Sequence, residues 1–249
     1  MLHSCSSIVI HAAGDLRIEP QKVATPGAGE VLIQMQAGGI CGSDLHQFKH
    51  AREIDALARE MGAPGQDLSK GMVLGHEYVG EIVEFGPDTQ QSLQKGDRVV
   101  SVPFLIRDGA PVPIGANVEV DGAYAEFFLG TEALLIKVPD AVPDAAAALV
   151  EPLGIAVHAV AKSILGSADM PCAVIGCGPI GLAIIAVLRM RGVPATTIHR
   201  ILYTPVYDPQ YEKIAEWLTG QGSRPVVEGL SELALDRAKA FYDTVASIP

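Results

Sequence analysis

Disulfide-forming pairs, positive charge and a leader-like start are what this chain lacks. Its four cysteines, at positions 5, 41, 172 and 177, show no paired spacing. They argue against a disulfide framework and for a reducing, cytoplasmic setting. Basic residues number 18 against 29 acidic ones, giving a formal charge of −11 with no basic run. Such a surface repels nucleic-acid phosphates and anionic lipid, so neither nucleic acid nor a membrane is an expected partner. The opening MLHSCSSIVIHAAGDL has no basic start and no long apolar core, and does not read as a secretory signal. One run, Met170 to Leu188, is free of charge for 19 residues. It contains three glycines and two prolines. A strand, a tight turn and a buried helix explain that grammar better than a membrane span.

Apolar residues make up 49% of the chain and charged residues 19%, a balance that supports a folded core. Up to about residue 150 the pattern is β-rich. IVIHAAGDLRIEP predicts a hairpin with Gly14-Asp15 at the turn. EVLIQMQAGGI, EYVGEIVEFG, GDRVVSVPF, AYAEFFLG and ALLIKVP predict further strands joined by glycine-containing turns. Many short strands at this spacing suggest a small barrel or sandwich. One helix is expected within AREIDALAREMG, where Ile54, Leu57, Ala58 and Met61 recur at helical spacing and Gly62 and Pro64 end the run. From Pro143 the texture changes. DAAAALVEPLGIAVHAVAKSIL reads as helix interrupted near Pro152, followed by the strand CAVIG, a glycine turn and the apolar helix LAIIAVLRMRG. The fold class is mixed α/β.

Two stretches carry chemistry. GGICGSDLH packs Cys41, Ser43, Asp44 and His46 into a glycine-flanked loop. Thirty-five positions after Cys41, GHE supplies His76 and Glu77 between strands. A thiolate, an imidazole and a carboxylate together suit zinc, and three protein ligands with an open fourth position are the arrangement of a catalytic zinc. Taken alone, Cys41 equally suits a small buried residue, and His76 alone would more often be a core histidine. His3, His11, His50, His158 and His199 lack such company and read as surface or packing residues. Apart from these two, Gly176-x-Gly178-x-x-Gly181 lies between a strand and a helix, which is how a dinucleotide-binding βαβ unit begins. Cys177 sits within that turn, where a small residue fits.

These motifs resemble those of the zinc-containing medium-chain alcohol and polyol dehydrogenases. AGGICGSDLH, MVLGHEYVGEIVEFG, KGDRVVSVP, DGAYAEF, ALVEPLGIAVHA and VIGCGPIGLA occur in that family's order, over roughly residues 8 to 193. The likeness is to the polyol branch, in which the zinc carboxylate is the Glu of GHE. The resemblance implies a GroES-like β-barrel catalytic domain and a hydride passed between an alcohol or polyol and NAD or NADP. It implies one catalytic Zn2+ held by Cys41, His76 and Glu77, with Glu151 in the position of a further ligand; by itself Glu151 reads as a helix-boundary carboxylate. Asp44 would orient His76, Ser43 would take the substrate hydroxyl proton, and His46 would relay it to solvent. Gly176, Gly178, Pro179, Ile180 and Gly181 would receive the cofactor pyrophosphate.

Two departures from the family pattern stand out. SVPFLIRDGAPVPIGANVEVDG contains no cysteine where many relatives carry a four-cysteine lobe, so no structural zinc is expected there. This stretch, 101 to 121, is expected to line the substrate cleft. After Gly192, His199 and Arg200 stand where an acid would hold the adenine ribose. The next stretch, TPVYDPQYEKIAEWLTGQG, resembles the helix that returns to the catalytic domain, with Ile214, Trp217 and Leu218 as its buried stripe. The expected organisation is therefore 1–152 plus 208–249 as a barrel-like catalytic domain with C-terminal helices, and 153–207 as a truncated Rossmann-type segment. Most of a cofactor domain and the family's closing strand are absent from this reading, and no dimer is asserted. The competing reading is a zinc-binding remnant without hydride transfer. A zinc-free quinone-type reductase is disfavoured by Cys41 together with GHE.

Overall fold

The computed structural model describes residues 4–62, 65–163, 172–176 and 178–197. The expectations for His3, Pro64, Cys177, His199, Arg200 and the helices after residue 207 lie outside these residues. The chain divides into two compact units, residues 1–151 and 152–249.

The first unit opens with the expected hairpin, β1 (Ser4–Ala12) against β2 (Asp15–Lys22). Then come β3 (Glu30–Gly38) and α1 (Gly42–Glu60), followed by β4 (Met72–Val73), β5 (Tyr78–Phe85) and β6 (Arg98–Val100). The hairpin of β7 (Phe104–Arg107) and β8 (Ala110–Pro113) leads to β9 (Phe127–Thr131) and β10 (Ile136–Lys137). The strands form a sheet in the order β2-β1-β4, a five-stranded sheet β10-β6-β5-β3-β9, and the separate β7-β8 pair.

Strand β3 shows why the sheets close around a core. Val31 and Ile33 pack with Tyr78, Ile82, Val99 and Phe128. Leu32, on the opposite face, packs with Val9, Val73, Leu105 and Ile114. Successive side chains point to opposite faces of a strand, so burial of all three makes β3 a central strand covered on both sides. Phe128 is 1% exposed and meets the Tyr78 ring edge-on, 4.6 Å between centroids. The β7-β8 hairpin is pinned to this core by Leu105 and Ile114, and by the Arg107 guanidinium, which donates to buried Glu30 at 2.8 Å.

Two local expectations are corrected. The stretch GSDLH is the start of α1, not a loop. The Cys41 N–H donates to the Asp44 carboxylate at 3.0 Å, an acid at the third helical position reaching back over the helix start. The helix bends at His50, whose backbone leaves helical geometry. The second correction concerns Pro152. The interruption falls at residues 148–149, between α2 (Asp144–Ala147) and α3 (Val150–Lys162). Pro152 is instead tolerated in the first turn of α3, where its missing N–H would have no helical partner. The run Asp144–Lys162 is long and apolar enough for a membrane span on length and composition alone. Core helices pass the same test, and Ala147 and Ala148 pack against Val79 and Val100.

The second unit contains most of α3, then β11 (Cys172–Val174), α4 (Pro179–Met190) and β12 (Ala195–Thr197). Strands β11 and β12 pair in parallel, Cys172 with Ala195 through Val174 with Thr197. A parallel pair needs a crossover, and α4 supplies it. Ala156 and Val160 of α3 share a small core with Val187, Leu188 and Val193.

Candidate metal centre

The register of one strand pair assembles the site. Gly38 at the end of β3 lies opposite Tyr78 at the start of β5. The chain leaving β3 and the chain entering β5 are therefore neighbours, and the Gly39 N–H continues the pairing by donating to the Glu77 carbonyl at 2.8 Å. A side chain at Gly39 would overlap the Glu77 carboxylate, so the close approach requires glycine. Two residues on, Cys41 begins α1. Across from it stand His76 and Glu77.

The Cys41 sulfur, a His76 ring nitrogen and a Glu77 carboxylate oxygen all lie within 4.8 Å of one another. Glu77 is buried, while Cys41 and His76 keep partial access to solvent. Asp44, 4% exposed, faces the His76 Nδ1 at 3.6 Å. At that distance the contact is electrostatic. The Asp44 carboxylate beside it, opposed by partial burial and helped by the Cys41 sulfur, raises the His76 pKa to about 9. Burial pushes the Asp44 carboxyl up, but contacts with His76, the Cys41 N–H and Tyr124 outweigh it and hold the pKa low. The anionic groups thus converge on a point that favours positive charge, and the soft, borderline and hard donors together fit a divalent metal such as zinc.

The other predicted site residues fall into place unequally. Glu151, in the first turn of α3, stands outside the three-ligand group. Burial, with Glu77 and Asp44 adding to it against the pull of His76, raises its pKa. Ser43 and His46 are solvent-exposed on the first turns of α1. The His46 ring meets His50 edge-on at 6.3 Å. His11 pairs with Glu19 at 3.0 Å, and His158 is exposed, in keeping with surface or packing roles. Tyr124 carries no expectation from the sequence, yet its hydroxyl reaches Asp44 at 2.9 Å and the Gly39 carbonyl at 3.1 Å. The only sequence signal was its place in DGAYAEF.

In the second unit, Gly176 has φ +115, Gly178 caps α4, and Pro179 occupies its first turn. A side chain at Gly181 would overlap the Gly176 carbonyl, so turn and helix approach as closely as a dinucleotide turn requires. Among the described residues no side-chain hydrogen bond caps the helix start, the kind of place where backbone N–H groups can meet an anion.

Residues 27–140 match the alcohol dehydrogenase GroES-like domain. The chain belongs to the medium-chain alcohol and polyol dehydrogenase family. Sorbitol dehydrogenase of Gallus gallus is 32% identical over an alignment of 206 residues that covers 77% of this chain and 54% of that protein. (R,R)-butanediol dehydrogenase of Bacillus subtilis is 32% identical over an alignment of 212 residues that covers 82% of this chain and 60% of that one. The crystal structure of 2R,3R-butanediol dehydrogenase from Bacillus subtilis superposes with a TM-score of 0.63 at 29% identity, covering 92% of this chain and 64% of that one. This family member thus spans about half the length of the curated relatives it matches.

Proposed function

We propose that the chain is a zinc-dependent oxidoreductase that moves a hydride between a small alcohol or polyol and NAD or NADP. One observation carries the reading: sulfur, nitrogen and oxygen donors from segments 35 positions apart converge within 4.8 Å in the unit that bears the alcohol dehydrogenase domain. The names of the relatives, sorbitol and butanediol dehydrogenases, support a hydroxylated substrate.

When bound, zinc would supply Lewis acidity and a nicotinamide would supply a hydride acceptor. The chain supplies position and proton handling. Cys41, His76 and Glu77 hold the metal, with Glu151 at hand as a further ligand. Asp44 fixes the His76 ring. Ser43, two residues from Cys41, takes the substrate hydroxyl proton, and His46, on the next turn of α1, passes it to water. Gly176, Gly178, Pro179, Ile180 and Gly181 receive the pyrophosphate. The four-cysteine count and acidic surface fit a reducing cytoplasm.

The test is zinc content measured with NAD(H) and NADP(H) titration on one purified sample. About one zinc per chain is expected, together with a change in NADH fluorescence at micromolar protein. Cys41→Ser should weaken zinc binding by more than the roughly 10–100-fold that loss of an outer partner brings. Zinc-free wild-type protein overturns the proposal. Zinc without dinucleotide binding establishes the second reading, a metal-binding protein without hydride transfer. That reading draws on the placement of all three ligands within residues 1–151.

A further inference from the structure

We infer that Tyr124 is a positioning residue that ties together the two segments carrying the metal ligands. The inference rests on the metal-site reading above. Its basis is a set of contacts around one side chain. The Tyr124 backbone N–H donates to the Leu74 carbonyl at 3.0 Å, and the preceding Ala123 N–H donates to the Gly75 carbonyl at 2.9 Å. These bonds lay the ring against the residues that precede His76. Gly75 has φ +95, and a Cβ there would stand 2.5 Å from the Tyr124 ring. The ring therefore rests directly on the backbone that presents His76.

From that seat the hydroxyl crosses to the other segment. It donates to the Asp44 carboxylate Oδ2 at 2.9 Å and lies 3.1 Å from the Gly39 carbonyl. Gly39 is two residues before Cys41, and Asp44 is three residues after it. The carboxylate itself bridges the segments, because its Oδ1 accepts from the Gly75 N–H at 3.3 Å and its Oδ2 accepts from the Cys41 N–H at 3.0 Å. Removing the phenol oxygen leaves Asp44 with two backbone donors and frees it to turn away from the His76 ring. A partner behind a ligating histidine fixes its orientation and tunes its affinity. Tyr124 acts on the ligand through Asp44, one step further out.

Cobalt(II) is the probe, because its absorption reports ligand geometry and a thiolate ligand gives a near-ultraviolet charge-transfer band. The full chain, its Tyr124→Phe variant, its Asp44→Asn variant and the double variant are titrated with cobalt(II), and metal-free thermal unfolding is recorded for each. Wild type should show a band that Cys41→Ser abolishes. Tyr124→Phe should weaken cobalt binding by roughly 10–100-fold and shift the visible bands, with an unfolding midpoint close to wild type. In the Asp44→Asn background the same change should have little further effect, since coupled residues do not add. Equal affinity and an unchanged spectrum in Tyr124→Phe overturn the inference, as does full additivity in the double variant. A wild-type chain with no Cys41-dependent band overturns the metal site itself, and the inference with it.

Discussion

Among the described residues, the two units differ in the size of the apolar core they contain. In residues 4–151, strands β1, β3, β5 and β6 place Val9, Val31, Ile33, Val79 and Val99 at zero exposure. In residues 152–197, Ile175 is 82% exposed, Met190 85%, Leu182 55% and Ile155 53%. The first unit closes antiparallel strands into layers with a shared interior. Among the described residues, the second offers β11 and β12, three residues each, beside α4. Parallel strands are stable when both faces are covered; among the described residues, Ala156, Val160, Val187, Leu188, Val193 and Ala195 form the core beside them. The proposed metal ligands Cys41, His76 and Glu77 all belong to the first unit. The dinucleotide turn belongs to the other. Metal binding is thus expected to be the sturdier property of the chain, and dinucleotide binding the more fragile one.

The largest effect is expected from the barrel core. Phe128→Ala should cost about 3–5 kcal/mol of unfolding free energy, read by urea denaturation. Ile175→Ser should change it by no more than about 0.5 kcal/mol, as at an ordinary surface site. A cost above about 1 kcal/mol would show that another surface covers Ile175 in solution, and the contrast would break.

The next comparison lies within the dinucleotide turn. Gly181→Ala forces a methyl group onto the Gly176 carbonyl, and the overpacking should cost about 1–3 kcal/mol of unfolding free energy. Gly178→Ala meets open space within the chain at φ −70 and should change stability by no more than about 0.5 kcal/mol, but its methyl group would stand where the pyrophosphate approaches the backbone and should weaken dinucleotide binding. Both variants should keep the metal content of wild type. Loss of metal in Gly181→Ala would show that the units are not independent in this respect.

The smallest effect concerns Asp121, partly buried beside the barrel, where burial raises its carboxyl pKa. The folded state therefore holds this proton more tightly than the unfolded state. Its contribution favours folding at low pH and turns unfavourable as pH rises from the unfolded value of about 3.9 through the raised folded one. Asp121→Asn should stabilise the protein at pH 7 by less than about 1 kcal/mol, since solvent screens much of the charge. It should also steepen the rise of stability with pH on the acid side, because a contribution that falls as pH rises is removed. A destabilised Asp121→Asn would reveal a partner for that carboxylate.

Much of the barrel was legible because alternation is local. The hairpin at Gly14 and strands β3, β5 and β9 follow from period-2 patterns between glycine turns. The side chains proposed to hold a metal were legible as candidates through residue chemistry and motif grammar, and Cys41, His76 and Glu77 do lie together. The start of α1 was misread. Two glycines and a run of small polar residues look like a loop, and the helix depends on Asp44 reaching back to Cys41. Tyr124 was invisible, because it lies 80 positions from the carboxylate it serves.

The residues alone determined which donor atoms this chain can offer a metal and which segments can form strands, since both depend on side-chain chemistry and short-range period. Only the tertiary structure decided that Gly38 pairs with Tyr78, that Cys41 thereby meets His76, and that a tyrosine spans the two segments. Strand register and contacts across 80 residues arise from packing of the whole unit, and no short stretch of sequence contains them.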